Sequence, residues 1–267
     1  MHPIERLRYV ARASGADHAL LVRETAGALS AFGDDPPGMV TACRRIVDRH
    51  PASAPLWWLC ARVLTAGDAM FEAWRAADEI DGDTTANELV HALPADSMVC
   101  VLGWPELASE SLVRRGDLDV LVVDALGEGH GLVRRLRRSD MDAVEVPAAG
   151  LGAAAAASDV LLLEASAVGP DQFVGVAGSR AAAAVAHHAR VPVWLVAGVG
   201  RLLPRRMWDA LALRLDDSAE RWDAPDEVVP LDLVDLVVGP GGPEPVADAL
   251  RRTDCPVAPE LFRTTAF

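Results

Sequence analysis

The chain contains no lysine, and all 25 of its basic residues are arginine. Without lysine it cannot form a Walker A phosphate loop, a pyridoxal Schiff base or the imine of a lysine-dependent aldolase. Tyrosine and asparagine occur once each, whereas alanine, arginine, glycine and valine are abundant. This bias is typical of a GC-rich genome, so codon usage accounts for part of the missing lysine.

Long apolar runs are absent too, and none approaches the ~18–20 residues that span a bilayer. The first six residues, Met-His-Pro-Ile-Glu-Arg, lack the apolar stretch of a signal peptide. We therefore expect a cytoplasmic protein without a membrane segment. The net charge of −14 disfavours nucleic acid as a partner, because it repels phosphate backbones. The arginines between positions 134 and 138 flank apolar residues, a pattern typical of the exposed face of an amphipathic helix.

Metal-ligand motifs are missing as well. The four cysteines are scattered without a Cys-x-x-Cys pair, which favours buried thiols in a reducing compartment over disulfides or zinc ligands. His187 and His188 are neighbours on a predicted helix, where consecutive side chains point about 100° apart and do not pair on one metal. We expect neither a metal nor a cofactor.

The first third of the chain carries apolar residues at helical spacing and no strand pattern. Val22, Ala26 and Leu29 fall on one helical face. Two prolines after Asp35 end that helix and begin the next, because proline fits the first turn of a helix. We therefore predict an all-helical domain over residues 1–93.

From residue 94 onwards, short continuous apolar runs alternate with helical stretches. The runs cover residues 98–102, 120–123, 143–146, 160–163, 193–196 and 233–238. Continuous runs are typical of strands covered on both faces, and repeated strand–helix units imply parallel strands with right-handed crossovers. We therefore predict that residues 94–267 form an α/β domain with a Rossmann-like, doubly wound, mostly parallel sheet.

Two candidate sites follow from this topology, because such sheets bind ligands beyond the carboxyl ends of their strands. The run 160–163 delivers Glu164 and Ser166 to that edge, where a partly buried carboxylate can act as a general base. Alternatively, Glu164 is a loop carboxylate bound to backbone amides. The second candidate site is the start of a predicted helix at Gly178, Ser179 and Arg180, whose backbone amides could bind an anion. Alternatively, the serine is an ordinary helix cap.

Several segments, taken in chain order, also carry a family resemblance. They include Val-Leu-Leu-Leu-Glu-Ala-Ser at 160–166, Gly-Val-Ala-Gly-Ser at 175–179 and Arg-Val-Pro-Val-Trp-Leu-Val at 190–196. Together with residues 42–56, 126–129, 226–238 and 255–261, they resemble the regulatory α, β and δ subunits of initiation factor 2B. That family includes methylthioribose-1-phosphate and ribose-1,5-bisphosphate isomerases. The resemblance implies a helical domain on a Rossmann-like domain, and dimers or larger assemblies through the latter.

The catalytic positions of the isomerases differ here. Where the resemblance implies a catalytic Asp after the strand, this sequence has Ser166, and the position of the catalytic Cys corresponds to Gly103. The substrate-binding Arg corresponds to Asp124 or Ala125, and the N-terminal Arg-Gly-Ala phosphate motif has no counterpart. Serine is not an unassisted general base near neutral pH, so standard isomerase activity is not expected.

Two main hypotheses about function remain, beside a purely structural role such as partnering an active paralogue in a hetero-oligomer. The first is a non-catalytic initiation-factor-2B-like protein that binds a partner protein or senses a phosphorylated metabolite. The second is a divergent sugar-phosphate isomerase, or a related small-molecule enzyme, in which Glu164 or Asp171 replaces the missing Asp. For both, we expect a homodimer through the C-terminal domain or a hetero-oligomer with a paralogue.

Overall fold

The computed structural model describes residues 18–216 and 222–263. The predicted helical region before residue 18 lies outside the described residues. The rest of that region consists of five helices: α1 (His18–Leu29), α2 (Pro36–Arg49), α3 (Ala54–Thr65), α4 (Ala69–Asp81) and α5 (Thr85–Ala92). The prediction of a helical segment ahead of the sheet is therefore confirmed for the part that the structure describes.

Side-chain caps set the starts of two of these helices. The Asp35 carboxylate accepts the amide of Gly38 at 3.0 Å ahead of α2, whose first turn contains the two prolines. The Asp68 carboxylate accepts the amides of Met70 and Phe71 at the start of α4. Helices α2 and α4 each bury one apolar face, whereas α3 is buried on all sides, and its adjacent Trp57 and Trp58 are both fully buried.

Strands and helices alternate after residue 97. The strands are β1 (Met98–Leu102), β2 (Asp119–Asp124), β3 (Asp142–Pro147), β4 (Val160–Glu164), β5 (Ala167–Val168), β6 (Gln172–Val176), β7 (Val193–Val196), β8 (Asp226–Pro230), β9 (Leu236–Gly239) and β10 (Gly242–Pro245). The helices between and after them are α6 (Glu106–Leu112), α7 (Gly129–Arg137), α8 (Leu151–Ala157), α9 (Ser179–Ala189), α10 (Arg205–Asp216) and α11 (Val246–Leu250).

Seven strands form one sheet in the order β10-β9-β7-β4-β1-β2-β3. All neighbours are parallel except β10 and β9, so the predicted α/β fold with a mostly parallel, doubly wound sheet is confirmed. Strand β4 lies in the middle of the sheet between β1 and β7, and helices α6 and α9 pack against it, so its continuous apolar run is buried. Its carboxyl end therefore opens onto the central part of the sheet edge, which is where parallel sheets bind ligands.

A second, antiparallel sheet was not predicted. It has three strands in the order β5-β6-β8, and β6 pairs with β8 from Gln172↔Pro230 to Val176↔Asp226. This small sheet follows β4 directly and stands beside the carboxyl edge of the large sheet. It thereby adds a wall to the site that parallel strands alone would leave open.

The helical segment and the α/β segment share apolar packing. The core of the first helices continues into Met207, Trp208 and Leu211 of α10 and into Leu261 near the end of the described chain. A domain boundary at residue 93 remains a prediction, since this core crosses it. No described helix has both the length and the apolar composition that crossing a bilayer needs.

Arg214 of α10 connects three parts of this shared core. Its Nε donates to Asp48 of α2 at 2.6 Å, and its Nη2 donates to the carbonyls of Leu261 and Arg263 at 2.9 and 3.1 Å. The guanidinium also lies 4.8 Å from the ring centre of Trp57. These contacts are buried, because only 5% of the Arg214 side chain and 12% of the Asp48 side chain are exposed.

We expect Arg214→Met to lower the free energy of unfolding by about 3–5 kcal/mol, because it removes one partner of a buried ion pair. The matched control is Arg205→Met on the same helix, whose ion-pair partner Asp171 is 70% exposed. Loss of such a surface pair costs about 0–1 kcal/mol. Urea denaturation of both variants measures the difference, and equal losses would contradict a special role for Arg214.

Candidate functional site

A cleft of about 610 Å³ opens at the carboxyl edge of the large sheet. Its floor comes from the ends of β1 and β4, and its walls from the start of α6, the small sheet and His18 of α1. Seven ionisable side chains line it: His18, Glu106, Glu128, Arg135, Glu164, Arg201 and Asp226. Both Glu164 and Ser166 line the cleft, at the edge of the sheet where the sequence predicted them. The sequence analysis did not single out the other charged residues.

Glu164 is held on both of its oxygens. Oε1 accepts a hydrogen bond from Nη1 of Arg201 at 2.8 Å, and Oε2 accepts the amide of Ala108 at 3.0 Å. Ala108 lies in the first turn of α6, where helix amides lack partners within the helix, so the carboxylate also caps that helix from the neighbouring strand. Only 8% of the Glu164 side chain is exposed. This geometry matches the alternative of a carboxylate bound to backbone amides.

Arg201 is the buried cation at the centre of the cleft, with 4% of its side chain exposed. It also donates to the carbonyl of Ala165 at 2.7 Å and lies 3.6 Å from Glu106. Burial alone would lower the pKa of the Arg201 guanidinium, but the charges of Glu164 and Glu106 outweigh it and the pKa is raised. Arg201 thus stays charged, with carboxylates on two sides.

The helical segment reaches this network through His18, the first described residue. Its ring Nδ1 lies 2.9 Å from Oε2 of Glu106, and its backbone amide donates to the same oxygen at 3.3 Å. Glu106 is therefore shared between Arg201 of the α/β segment and His18 of the helical segment. The cleft is formed where the two segments meet.

Ser166 lines the cleft but is tied to the small sheet. Its backbone amide donates to the carbonyl of Val174 at 2.9 Å, and its hydroxyl donates to the same carbonyl at 3.3 Å. Its own carbonyl accepts the amide of Ala54 at the start of α3. No carboxylate or imidazole among the described residues bonds to this hydroxyl, so nothing there activates it as a base or nucleophile.

The predicted anion site at the start of α9 has partners of its own. Ser179 is buried, and its hydroxyl donates to the carbonyl of Val176 at 2.6 Å. The amide of Arg180 donates to the carboxylate of Glu227 at 2.8 Å, so an acidic side chain already occupies this helix N-terminus. Gly178 has φ of +96°, which explains glycine there by backbone conformation. Anion binding at these residues remains a prediction.

Asp171 does not join Glu164 and Ser166 in the cleft. It lines a separate, wider cavity of about 760 Å³ together with Gln172 and Arg205. Its carboxylate pairs with Arg205 at 2.8 Å, and 70% of the side chain is exposed. The reason is the β5–β6 hairpin, which turns the chain away from the sheet edge between Ser166 and Asp171.

The resemblance implies a catalytic cysteine at the position of Gly103, and Cys100 is the cysteine nearest to it in the sequence. Gly103 follows β1 with φ of +62°, a conformation that a cysteine at this position would adopt only with strain. Cys100 lies inside β1, where burial raises the pKa of its thiol to about 12. A thiol with that pKa is not a nucleophile at neutral pH, so Cys100 does not supply the cysteine that the resemblance implies.

In the described ranges no group of three histidine, cysteine or carboxylate side chains converges as a metal site.

Asp226 is a partly buried carboxylate of the cleft. It lies at the start of β8 opposite Val176, and its carboxylate has no hydrogen bond to any described residue. Burial raises the pKa of the Asp226 carboxyl above its ordinary value, and His18 offsets only part of that effect. Sequence analysis missed Asp226 because it is at the amino end of an antiparallel strand rather than the carboxyl end of a parallel one.

We expect Asp226→Asn to be more stable than the wild type at pH 7. A raised carboxyl pKa means that the charged form opposes folding, so the penalty is absent well below the ordinary pKa, develops as pH rises from the ordinary pKa to the raised pKa, and is complete above it. The stability difference should vanish near pH 3. Thermal unfolding between pH 3 and pH 8 measures it, with exposed Asp232→Asn as the control. A variant less stable than the wild type at pH 7 would contradict the burial effect.

Comparison with known proteins gives matches at the level of structure. No family model and no curated protein sequence matches this chain. Translation initiation factor eIF-2B of Pyrococcus horikoshii OT3 superposes with a TM-score of 0.78 at 15% identity, over 93% of this chain and 98% of that one. The tetrameric eIF2B-β2-δ2 complex of Chaetomium thermophilum gives 0.74 at 17% identity, over 93% and 91%. The δ subunit from A. fulgidus gives 0.61 at 14% identity, over 93% and 89%. The chain therefore has the fold of the initiation factor 2B subunits that its sequence resembles.

Proposed function

We propose that this chain is a non-catalytic initiation-factor-2B-like protein that binds a partner subunit. The observation that carries the proposal is the double engagement of Glu164 by Arg201 and by the Ala108 amide. A general base must reach the substrate proton, but this carboxylate is fixed through both oxygens and only 8% of its side chain is exposed. Here the strand-end carboxylate stabilises the start of α6 and neutralises a buried guanidinium instead.

The divergent-enzyme hypothesis draws little support from the other candidate residues. Ser166 has no base beside it among the described residues, and Asp171 lies in another cavity, ion-paired to Arg205. Two carboxylates of the cleft have no hydrogen bond among the described residues, exposed Glu128 and partly buried Asp226. A raised pKa suits a proton-transfer residue, so Asp226 is the better candidate of the two for a divergent enzyme.

A phosphorylated metabolite also fits the cleft less well than the sequence suggested. Phosphate binding uses free cations or free helix amides. Arg201 already faces Glu164 and Glu106, and the amide of Arg180 already faces Glu227. Arg135 is exposed at the rim and shares that rim with Glu128.

We expect the purified protein to show no isomerisation of methylthioribose 1-phosphate or ribose 1,5-bisphosphate above the background rate. Glu164→Gln should leave this result unchanged and lower the free energy of unfolding by about 3 kcal/mol, because Arg201 loses its buried counter-ion. The control is Glu145→Gln, whose side chain is 40% exposed and whose loss should cost under about 0.5 kcal/mol.

The two readouts separate the two roles of Glu164. Turnover in the wild type that Glu164→Gln or Asp226→Asn abolishes, with the fold intact by circular dichroism, would sink the non-catalytic proposal. A loss of stability in Glu164→Gln without any change in turnover supports it.

Assembly with a second subunit, a copy of the chain or a paralogue, is the other half of the proposal. One of the similar structures is a tetrameric complex of eIF2B β and δ subunits. In this chain the β2–β3 end of the sheet exposes large apolar side chains, with Leu126 at 47% and Val144 at 53%. Strand β3 is also an edge strand, so its outer backbone groups have no partner strand in the described part of this chain. We place the interface at this end of the C-terminal segment.

We expect sedimentation velocity to find a dimer or larger species for the purified chain. Leu126→Glu together with Val144→Glu should shift it towards monomer, because burying two carboxylates opposes association. Leu213→Glu on α10, where the leucine is 67% exposed, serves as the control and should leave the sedimentation coefficient unchanged. If the chain is monomeric alone, it should associate with a co-expressed paralogue. A chain that neither self-associates nor binds a paralogue would contradict the proposed interface.

A further inference from the structure

We infer that the cleft at the sheet edge binds a cationic group, with Asp226 as its counter-ion and Trp104 as an apolar wall. This inference rests on the proposed function in one respect, since the ligand is held there and not converted. It differs from the phosphorylated metabolite that the family resemblance suggested, because the charge of the ligand is reversed.

The charges around the cleft are unbalanced towards the negative. Four carboxylates line it against two guanidiniums, so the lining lacks two positive charges, or one if His18 is protonated. The buried guanidinium does not relieve this deficit for a ligand, because Arg201 is already opposed by Glu164 at 2.8 Å and by Glu106 at 3.6 Å. A cation entering the cleft reduces this imbalance of charge, whereas an anion increases it.

Asp226 is the group that a cation would meet. Glu164 is engaged by Arg201 and Ala108, and Glu106 by His18. The Glu128 and Asp226 carboxylates line the cleft without a hydrogen bond from any described residue, and Asp226 is the partly buried one of the two, whereas Glu128 is exposed to solvent. Its environment opposes the charged form, since burial raises the pKa of the Asp226 carboxyl. A bound cation would supply the missing compensation.

Trp104 gives the cleft an aromatic surface. It follows β1 at the sheet edge, lines the cleft and remains 41% exposed. Its position is fixed by Gly131 of α7, where a Cβ atom would come within 2.7 Å of the ring. An indole face attracts ammonium groups through its quadrupole, so a cleft lined by both an indole and a carboxylate suits an organic cation better than a metal ion.

The volume of about 610 Å³ lies within the range of small-molecule sites. It is much larger than a single bare ion needs. The chemical class that fits size, charge and aromatic wall together is a small organic molecule that carries an ammonium or guanidinium group.

Thermal unfolding of the full chain with matched probes tests this inference. The cations are choline and ethanolamine, the neutral isostere of choline is 3,3-dimethylbutan-1-ol, and the anion is ribose 5-phosphate. At least one cation should raise the melting temperature, and the neutral and anionic probes should not. Added salt should weaken the cation effect. A response to 3,3-dimethylbutan-1-ol equal to that of choline, a response to ribose 5-phosphate alone, or no response to any probe would overturn the inference.

Two variants locate the site. Asp226→Asn should weaken cation affinity on the order of thirtyfold, as expected when one partner of a largely buried charge pair is removed. Trp104→Leu should weaken the affinity for choline about fivefold, because the indole face is lost. Exposed Asp232→Asn, which changes the net charge equally, should retain wild-type affinity. Equal losses in Asp226→Asn and Asp232→Asn would point to a general charge effect and overturn the site.

This test can fail independently of the proposed function. Isomerase turnover measured in parallel decides whether the protein is catalytic, whatever the charge of the ligand. A cation that binds without turnover supports both proposals, whereas turnover of a bound cation would retain the site and reject the non-catalytic role.

Discussion

The buried ion pair between Arg201 and Glu164 is the interaction on which the candidate site depends. It connects the end of β4 to the segment after β7, caps α6 through the Ala108 amide and reaches α1 through Glu106 and His18. Removing one partner of such a pair costs about 3–5 kcal/mol, because the other charge remains buried. The carboxylate proposed as a general base, Glu164, is therefore also the carboxylate that holds the parts of the cleft together.

The large sheet was predictable because its strands carry a local signal. The run Val-Leu-Leu-Leu is buried on both faces of β4, and such runs need no knowledge of their partners. The small sheet has no comparable signal. Strand β6 contains a glycine in Gln-Phe-Val-Gly-Val, strand β8 ends in proline, and the two pair across more than 50 residues. Glycine and proline lower strand propensity, so tertiary pairing rather than local sequence decides these two elements.

The same distinction explains which site residues the sequence could reveal. Glu164 and Ser166 follow a recognisable parallel strand, and the rule that ligands bind beyond its carboxyl end brought both to the cleft. Arg201 comes from a connection after β7, and Asp226 comes from the amino end of an antiparallel strand. Their positions depend on how distant segments meet. Asp171, close to Ser166 in sequence, lies in another cavity because a hairpin intervenes.

The pairing of the buried charges and the openness of the cleft both bear on whether the cleft binds a ligand. Here Arg201 and Glu164 are paired, whereas the cleft stays open at about 610 Å³ and retains a carboxylate without a hydrogen bond among the described residues. An open cleft forgoes packing, and a partly buried charge opposes folding. Such costs are typical of binding sites, where stability is sacrificed for function. The pattern therefore supports the proposal that the cleft binds a ligand.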